Sequence, residues 1–263
     1  MSAPVAAPLV SLRQASKRFS NGTLALQGLD LELRRGEFVS LLGPSGCGKS
    51  TALRLIAGLT APTAGRVEWP AGNAGAAEDR LGFVFQEPTL MPWRTVFANV
   101  RLPLQVQGMS RAEATPHIRE ALARVGLAEF ENSYPRQLSG GMKMRVSIAR
   151  ALVTQPRLLL MDEPFAALDE ITRSRLNDDL LALWSAQRLT IGFVTHSVFE
   201  SVFLSSRIVV MAARPGRAVA DIAIDAPYPR DDAFRTSETY NRYCRVVSAA
   251  LKAAMGQETA DAV

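Results

Sequence analysis

A glycine-rich segment at residues 43–51 carries the clearest chemistry in the sequence. It matches the pattern G-x-x-x-x-G-K-[ST], which cradles the phosphates of a nucleotide. Glycines let the backbone approach phosphate oxygens without a Cβ clash, and N–H groups at a helix start supply partial positive charge. We expect Lys49 to reach the β- and γ-phosphates and the Ser50 hydroxyl to bind Mg²⁺. The predicted phosphate-binding residues are Gly43, Pro44, Ser45, Gly46, Cys47, Gly48, Lys49, Ser50 and Thr51.

A second candidate site is the acidic pair Asp162-Glu163, which follows the apolar run 158–161. Asp162, at the end of a predicted strand, is suited to hold Mg²⁺ directly or through water. Glu163 is suited to polarise a water molecule for in-line attack on a γ-phosphate. Two adjacent acids repel each other unless a metal or a basic group offsets their charge. The alternative is an ordinary strand end with solvated acids, which the glycine-rich segment upstream makes less favoured.

The elements that must position these residues are short apolar strands interleaved with helices. Near-continuous apolar runs predict strands that are covered on both faces. They are residues 38–42, 81–85, 158–161, 191–194 and 208–211. Apolar residues at 52, 55, 56 and 59 predict one helix, and residues 111–125, closed by Gly126, predict another. The alternation predicts an α/β fold with a largely parallel central sheet, and it places the glycine-rich segment between a strand and a helix.

We divide the chain of 263 residues into four parts. Residues 1–8 are expected to be a flexible tail, and residues 9–88 with 156–230 an α/β core. Residues 89–155 lack a strong strand signal and are expected to form an inserted helical subdomain. Residues 231–263 are expected to be a helical appendage, with a packing role favoured over a regulatory one.

Composition excludes several classes of protein. Two cysteines, Cys47 and Cys244, rule out a disulfide framework, and Cys47 is expected to be a small filler rather than a redox group. The sequence contains no run of 18 apolar residues, so we predict no membrane-spanning helix. We also find no convincing signal peptide before the first strand. The net charge is +5, but the basic residues are scattered, so we expect no nucleic-acid partner and a chain that stays in the cytoplasm.

The segment Leu-Ser-Gly-Gly-Met at residues 138–142 resembles the signature sequence of ATP-binding cassette (ABC) ATPases. The order of the other motifs is also similar, and the resemblance extends over residues 9–217. It implies a P-loop NTPase core of the ABC type, with a mixed, largely parallel sheet and an inserted helical subdomain. It also implies hydrolysis of ATP with Mg²⁺. It implies further site residues: Phe19 as a ring that stacks on adenine, Glu163 and His196 as catalytic groups, and Asp169 at a dimer interface. It also implies that Gln86 is a catalytic residue that bonds a Mg²⁺-bound water and acts as a sensor.

The same resemblance implies that the working unit is a dimer of ATPase domains, either homomeric or heteromeric. Ser139, Gly140 and Gly141 open a predicted helix, and a helix start with free N–H groups binds anions. In the family this motif faces the γ-phosphate held by the other subunit. The sequence departs from the common family pattern at Met142, Met144 and Ala167, which leaves the phosphate-contacting positions intact and puts the rate or the coupling between subunits in doubt.

Residues 86–100 and 213–217 look like the ABC branch that imports nitrate, taurine, aliphatic sulfonates and related small compounds. This implies separate integral membrane permease subunits, an external solute-binding protein acting indirectly, and a peripheral position on the cytoplasmic side of the inner membrane. The predicted docking residues for the permease are Leu90, Met91, Pro92, Trp93 and Phe97. Trp93 and Phe97 could instead pack within the helical subdomain, and both interpretations can hold together. The alternatives are the ATPase of an ABC exporter, or a soluble ABC ATPase acting on nucleic acid or ribosomes.

Overall fold

The computed structural model describes residues 8–70 and 81–260, the last four of these by their backbone alone. Most of the expected N-terminal tail lies outside the described residues, and Pro8 is the first residue of a strand. Nineteen named elements, two of them short 3-10 helices, follow in the described part of the chain.

Two sheets form the α/β core. A three-stranded antiparallel sheet has the order β2-β1-β4, with β1 at Pro8–Arg18, β2 at Leu24–Arg34 and β4 at Ala64–Glu68. A six-stranded sheet has the order β5-β6-β7-β3-β8-β9. Its strands are β3 (Phe38–Leu42), β5 (Leu81–Val84), β6 (Leu158–Asp162), β7 (Thr190–Thr195), β8 (Arg207–Ala212) and β9 (Arg217–Ala223). Only β9 runs antiparallel to its neighbour among these described strands. The mixed, largely parallel sheet is thereby confirmed.

The central strands are buried on both faces, which explains their unbroken apolar sequences. Every residue of β3, β6 and β7 is buried. Along β3, Phe38 and Leu42 join one hydrophobic core, while Val39 and Leu41 join a second core. Successive side chains of a strand point to opposite faces, so the two cores lie on the two sides of the sheet. Each of the five predicted runs lies within or overlaps a strand of this sheet.

The helix after the glycine-rich segment, α1, is Lys49–Ile56 and is shorter than the spacing predicts. Ala52, Leu55 and Ile56 are buried, but Leu59 is 59% exposed. Gly58 adopts φ +70°, and the N–H of Leu59 bonds the carbonyl of Arg54. A residue with positive φ followed by a reversed hydrogen bond terminates a helix, so the predicted fourth apolar position was wrong.

The region after β5 is helical, as expected. It contains α2 (Val96–Val106), α3 (Arg111–Arg124) and α4 (Gly140–Leu152), with 3-10 turns at Ala128–Phe130 and Pro135–Gln137. Helix α3 starts with a capping box between Ser110 and Glu113, and Gly126 with φ +69° follows its end. Both α2 and α3 pack against α4, so the three helices form one layer beside the sheet.

The remaining helices are α5 (Glu170–Gln187), α6 (Val198–Leu204), α7 (Asp232–Thr236) and α8 (Glu238–Ala260). Helix α8 packs against α6 and β8. Tyr240, Cys244, Val247 and Ala254 are its buried residues in the main core. The C-terminal segment therefore contributes to the packing of the domain, and burial of Cys244 accompanies a raised pKa of its thiol.

Arg230 joins the segment after β9 to the end of α6. Its guanidinium is 4% exposed and donates to the carbonyls of Val202, Phe203 and Ser205 at 2.9 to 3.0 Å. It also lies 4.0 Å from the ring centroid of Tyr228. Val202 and Phe203 lie in the last turn of α6, where backbone carbonyls lack an intrahelical donor.

Arg230→Lys is expected to lower the free energy of unfolding by about 2–4 kcal/mol, because an ammonium cannot reproduce the planar fork and leaves buried carbonyls unpaired. Urea unfolding followed by circular dichroism measures the change. Arg245→Lys, at an exposed position of α8, is the matched control and is expected to unfold as the parent does. Equal midpoints for Arg230→Lys and the parent would show that these hydrogen bonds contribute nothing to stability.

Candidate active site

The phosphate-binding loop connects β3 to α1 at the carboxyl edge of the parallel strands. Gly48, the N-cap of α1, adopts φ +88°, a left-handed conformation that favours glycine. A Cβ at Gly48 would also lie 2.7 Å from the carbonyl oxygen of Ala25. The loop therefore needs glycine here, both for its backbone conformation and for its close approach to β2.

Helix α1 begins without a capping side chain. By contrast, α2 to α7 each begin with a side chain that accepts a hydrogen bond from the first turn. The first N–H groups of a helix have no intrahelical partner, and together with the helix dipole they bind anions. The start of α1 is thus chemically suited to phosphate oxygens.

Lys49 is held within the loop and is only 4% exposed. Its Nζ donates to the carbonyls of Gly43 at 2.8 Å and Pro44 at 2.9 Å. Cys47 is fully buried, and burial raises the pKa of its thiol. A buried, protonated thiol is a small packing group, as expected from the sequence.

Ser50 and Asp162 meet although they are far apart in sequence. The Ser50 hydroxyl donates to Asp162 Oδ1 at 2.6 Å, and Asp162 is 6% exposed. Burial raises the pKa of the Asp162 carboxyl, and the Ser50 hydrogen bond opposes that shift. Two hard oxygen ligands, one in the first turn of α1 and one at the end of β6, fit Mg²⁺, which takes few protein ligands and keeps water and phosphate oxygens. The described residues contain no group of three or more His, Cys, Asp or Glu side chains that could hold a metal.

Glu163 is placed between two basic groups. Its Oε1 lies 4.0 Å from Lys49 Nζ, and its Oε2 lies 3.6 Å from His196 Nδ1. Its backbone has φ +47°, and its N–H donates to the carbonyl of Val194 at 3.1 Å. A non-glycine residue in the left-handed region carries strain, which is typical of functional sites. The strand edge thus brings Lys49, Glu163 and His196 together.

Glu200 is a residue that sequence reasoning missed. It is 8% exposed, and its carboxylate accepts a hydrogen bond from the Thr195 hydroxyl at 2.5 Å. The same Thr195 oxygen accepts from the N–H of Ser197, and Ser197 caps α6 by accepting from the N–H of Glu200. His196 therefore lies between Thr195 and Ser197, both of which are hydrogen-bonded to Glu200. The Ser-x-x-Glu spacing of residues 197–200 is a sequence signal for a helix start that could have drawn attention to it.

We expect Glu200→Leu to lower kcat roughly ten- to hundredfold with little change in KM for ATP, because a loosened His196 is misplaced in the transition state. Steady-state ATPase assays separate the two constants. Glu200→Gln retains an acceptor for Thr195 and is expected to keep most of the activity. Equal losses in the Leu and Gln variants would contradict a role through this hydrogen bond.

Glu200→Gln also has an expected pH signature. Burial raises the pKa of the Glu200 carboxyl; the Thr195 hydrogen bond and the charges of Arg173 and His196 oppose the shift. A carboxyl with a raised pKa favours the native state at low pH, and this contribution is lost as pH rises through the folded pKa. Glutamine does not ionise, so the urea midpoint of Glu200→Gln relative to the parent should increase from pH 5 to pH 8. A constant difference would show that Glu200 keeps the same charge in both states.

Two other predicted residues lie on exposed loops around the site. Phe19 is 40% exposed and lies in a turn, where its N–H donates to the carbonyl of Thr23 and its carbonyl accepts from the N–H of Gly22. Lys17 Nζ is 5.6 Å from the centroid of the Phe19 ring. Gln86 is exposed two residues beyond β5, next to the strand that leads to Glu163. An exposed ring suits a stacking platform, and an exposed amide at this edge is free to meet a ligand.

The signature segment lies at the start of α4. Ser139 caps α4 by accepting from the N–H of Met142 at 3.3 Å, and both Ser139 and Gly140 are exposed. A Cβ at Gly141 would lie 2.7 Å from Thr172 Cγ2, so the helix packs closely on α5. Asp169 is the N-cap of α5 and accepts from the N–H of Thr172 at 2.9 Å, which lowers the pKa of its carboxyl. The signature and Asp169 therefore share one exposed surface of the subunit.

The three departures from the common family pattern, at Met142, Met144 and Ala167, differ in their surroundings. Met144 is 2% exposed in the core, and Met142 packs against that core. Ala167 is exposed in the loop before α5. The two methionines therefore act as packing residues of the helical subdomain.

The expected docking residues are only partly exposed. Trp93 is 74% exposed, so its predicted exposure is correct and its alternative as a core residue is wrong. Leu90 and Phe97 pack against the main core, and the guanidinium of Arg111 lies 5.4 Å from the Phe97 ring centroid. Both side chains are partly buried, Leu90 in the loop before α2 and Phe97 in the first turn of α2, so Phe97 follows the alternative of packing within the helical subdomain. A groove of about 560 Å³ lies instead between β5, α2 and α4, where sequence reasoning had not placed it.

Taken together, the parallel sheet, the uncapped glycine loop and the acidic pair at the end of β6 define a P-loop ATPase. The chain belongs to the ABC transporter family, whose family model matches residues 26–166. The chain is thus an ATP-binding enzyme that couples ATP hydrolysis to transport, and the resemblance stated from the motifs is confirmed. None of the helices in the described part of the chain is long and apolar enough to span a membrane.

Relatives align over nearly the whole chain. An uncharacterised ABC transporter ATP-binding protein of Methanocaldococcus jannaschii is 48% identical over 88% of this chain and 86% of its own length. A putative ATP-binding protein of Brucella abortus is 46% identical over 89% of both chains. An aliphatic sulfonates import ATP-binding protein of Bacillus cereus is 42% identical over 88% of this chain and 91% of its own.

Solved structures show the same fold. The dimeric ABC transporter cassette MJ0796 is 34% identical, with a TM-score of 0.72, and covers 83% of this chain and all of its own. A dimer of that protein has also been solved in a post-hydrolysis state with ADP and Pi. A component of the cbiONQ transporter complex of Clostridium perfringens is 27% identical with a TM-score of 0.73, covering 81% of this chain and 88% of its own.

Proposed function

We propose that this ATPase powers the import of a small anionic solute of the sulfonate, taurine or nitrate type through separate membrane subunits. The observation that carries the ATPase part is the meeting of Lys49, the Ser50–Asp162 pair and the Glu163–His196 pair at one sheet edge. The similarity to aliphatic sulfonates import proteins supports the direction and the solute class. We place the protein peripherally on the cytoplasmic face of the inner membrane.

The residues have distinct roles in the proposed reaction. The start of α1 and Lys49 bind the β- and γ-phosphates, and Phe19 stacks on adenine. Ser50, Asp162 and, through water, Gln86 would hold Mg²⁺, which supplies charge neutralisation of the phosphates when bound. Glu163 accepts a proton from the attacking water, and His196 holds the γ-phosphate and the Glu163 side chain in position. Phosphoryl transfer needs mainly such positioning and charge stabilisation.

We propose that two subunits complete each site. Ser139 and Gly140 present a helix start on an exposed surface, beside Asp169. A second subunit packed head to tail would place this helix start against the γ-phosphate held by Lys49 of its partner. The dimeric relative MJ0796 supports this arrangement, and the two subunits of the present protein form either a homodimer or a heterodimer with a similar ATPase.

Ser139→Arg is expected to leave ATP binding to the single subunit largely intact while turnover falls by about 10²-fold or more, because a bulky cation would block the γ-phosphate contact across the dimer. ATP binding by fluorescence and turnover by phosphate release measure the two properties. Ser139→Ala is the matched control, since it removes only the helix cap at a cost of about 1 kcal/mol. Parental turnover in Ser139→Arg would rule out composite sites.

The groove between β5, α2 and α4 is the proposed docking site for the membrane subunit. Phe85 is 37% and Val106 79% exposed at this groove, and its wall includes Leu102 and Pro103. Apolar anchors in a groove suit a short amphipathic helix. Met91, Pro92 and Trp93 lie on the loop before α2 and would extend this surface, whereas Leu90 and Phe97 pack against the main core.

Purification of the tagged protein from membranes tests the partner. We expect an integral membrane chain to be recovered with the parent and lost with Val106→Glu, while the control Val246→Glu, on exposed α8, retains it. Uptake of a labelled sulfonate into cells that carry or lack the protein tests the direction. Recovery of nucleic acid or ribosomes instead of a membrane chain, or export of the solute, would reverse the proposal.

A further inference from the structure

A cavity of about 500 Å³ lies in the helical subdomain between α2 and α3, away from the phosphate-binding loop. We call it the arginine pocket. Its lining includes Phe97, Arg101, Arg111, Thr115, Arg119 and Glu131. Small-molecule sites are usually concave and about 300–1,000 Å³ in volume. None of these side chains has a part in the ATPase reaction described above.

The pocket carries excess positive charge. Arg119 is paired with Glu131, with Nε–Oε2 at 3.2 Å and Nη2–Oε1 at 3.3 Å. Within residues 8–70 and 81–260, neither Arg101 nor Arg111 has a carboxylate within ion-pair distance. An arginine is always charged and offers five N–H donors, so two guanidinium groups remain available to an anion.

Arg101 is the group that most needs a ligand. Its side chain is partly buried, and its Nε is buried without a hydrogen-bond partner in the described structure. The unpaired Nε marks a guanidinium whose hydrogen bonds the protein leaves incomplete, and an anion in the pocket would bond this group through its Nη donors. Arg111 approaches from α3 and lies 5.4 Å from the ring centroid of Phe97. The pocket therefore combines cationic donors with an aromatic surface.

We propose that the arginine pocket binds a small organic oxyanion, such as a sulfonate or a phosphate monoester. Its oxygens would bond Arg101 and Arg111, and its apolar stem would lie on Phe97. Both helices of the pocket pack against α4, the helix that begins at Ser139. A bound anion would consequently stabilise the layer that carries the signature segment. The proposal does not depend on the direction of transport.

The test uses the full chain saturated with MgADP, so that the phosphate-binding loop is already occupied. Methanesulfonate, phenyl phosphate, sulfate and, as reference, chloride are titrated at constant ionic strength and followed by calorimetry and by the melting temperature. We expect an organic oxyanion to bind with one molecule per chain. Arg101→Met and Arg111→Gln should each weaken binding about tenfold or more, because each removes a charge-assisted contact. Arg245→Gln removes an exposed charge elsewhere and should leave binding unchanged.

Three results would overturn the proposal. One is the absence of any binding signal when the parent is titrated with the anions. Another is a response to each anion that is no larger than the response to chloride. The third is parental affinity in Arg111→Gln, an exposed position whose variant decides the question should Arg101→Met fail to fold by circular dichroism. If the titrations are flat while the arginine variants lose the co-purifying membrane chain, the pocket is a protein contact instead.

Discussion

Replacement of Glu163 by glutamine is expected to leave MgATP binding intact and to slow hydrolysis by about 10²–10⁴-fold, the usual contribution of a general base. Glutamine has the shape of glutamate but cannot accept the proton of the attacking water. The change also removes a negative charge that lies 4.0 Å from Lys49 Nζ and 3.6 Å from His196 Nδ1. Lys49 and His196 then no longer face a carboxylate and are free to contact the γ-phosphate, so the ATP-bound dimer should accumulate.

Single-turnover phosphate release measures the hydrolysis rate, and size-exclusion chromatography with MgATP measures the dimer. The matched control is Glu129→Gln, which removes an exposed carboxylate from the 3-10 turn at Ala128–Phe130. It should hydrolyse ATP at the parental rate and show no stable dimer. A Glu163→Gln protein with parental turnover would exclude Glu163 as the base.

Lys49→Ala is expected to reduce turnover by about 10²–10³-fold, the usual effect of removing one electrostatic donor to the transition state. Lys49 is only 4% exposed, and its Nζ donates hydrogen bonds to the carbonyls of Gly43 and Pro44. Alanine leaves these carbonyls unpaired and Glu163 without its neighbouring cation. The loop should therefore lose both phosphate affinity and its arrangement.

Nucleotide binding by calorimetry and turnover by phosphate release measure these losses. Lys49→Arg retains the charge, but a planar guanidinium does not fit the geometry of the two carbonyls, so it should restore little activity. Lys252→Ala, on the exposed side of α8, removes one positive charge far from the loop and serves as the control. Undiminished nucleotide affinity in Lys49→Ala would remove the assignment of the phosphate-binding loop.

The long-range pairs explain why these variants should act on one site. Ser50 and Asp162 are separated by 112 positions in sequence, yet their oxygens are 2.6 Å apart. The register of parallel β6 and β7 pairs Asp162 with Val194, and the N–H of Glu163 bonds that same Val194. Adjacent strands thus bring the acidic pair and the His196 loop to one edge.

The sequence by itself determined the phosphate-binding loop, the strand–helix alternation and the family, because these depend on contiguous residues and on local backbone chemistry. Lys49, Ser50 and Glu163 could be named from their motifs alone. Its limits appeared where burial depends on other segments. Leu59 was expected inside and is exposed, whereas the sequence left open whether Phe97 is exposed or packs within the helical subdomain, and the structure has it partly buried against the main core. A periodic pattern specifies a helix face, but not where a glycine ends the helix.

Only the tertiary structure decided which distant groups meet. It placed Glu200 beside the His196 loop, an apolar groove beside Val106, and Arg101 and Arg111 around one cavity, where neither has a carboxylate partner in the described part of the chain. Such contacts join residues from separate elements, and their energies depend on desolvation and distance, which are properties of the packed chain rather than of any segment.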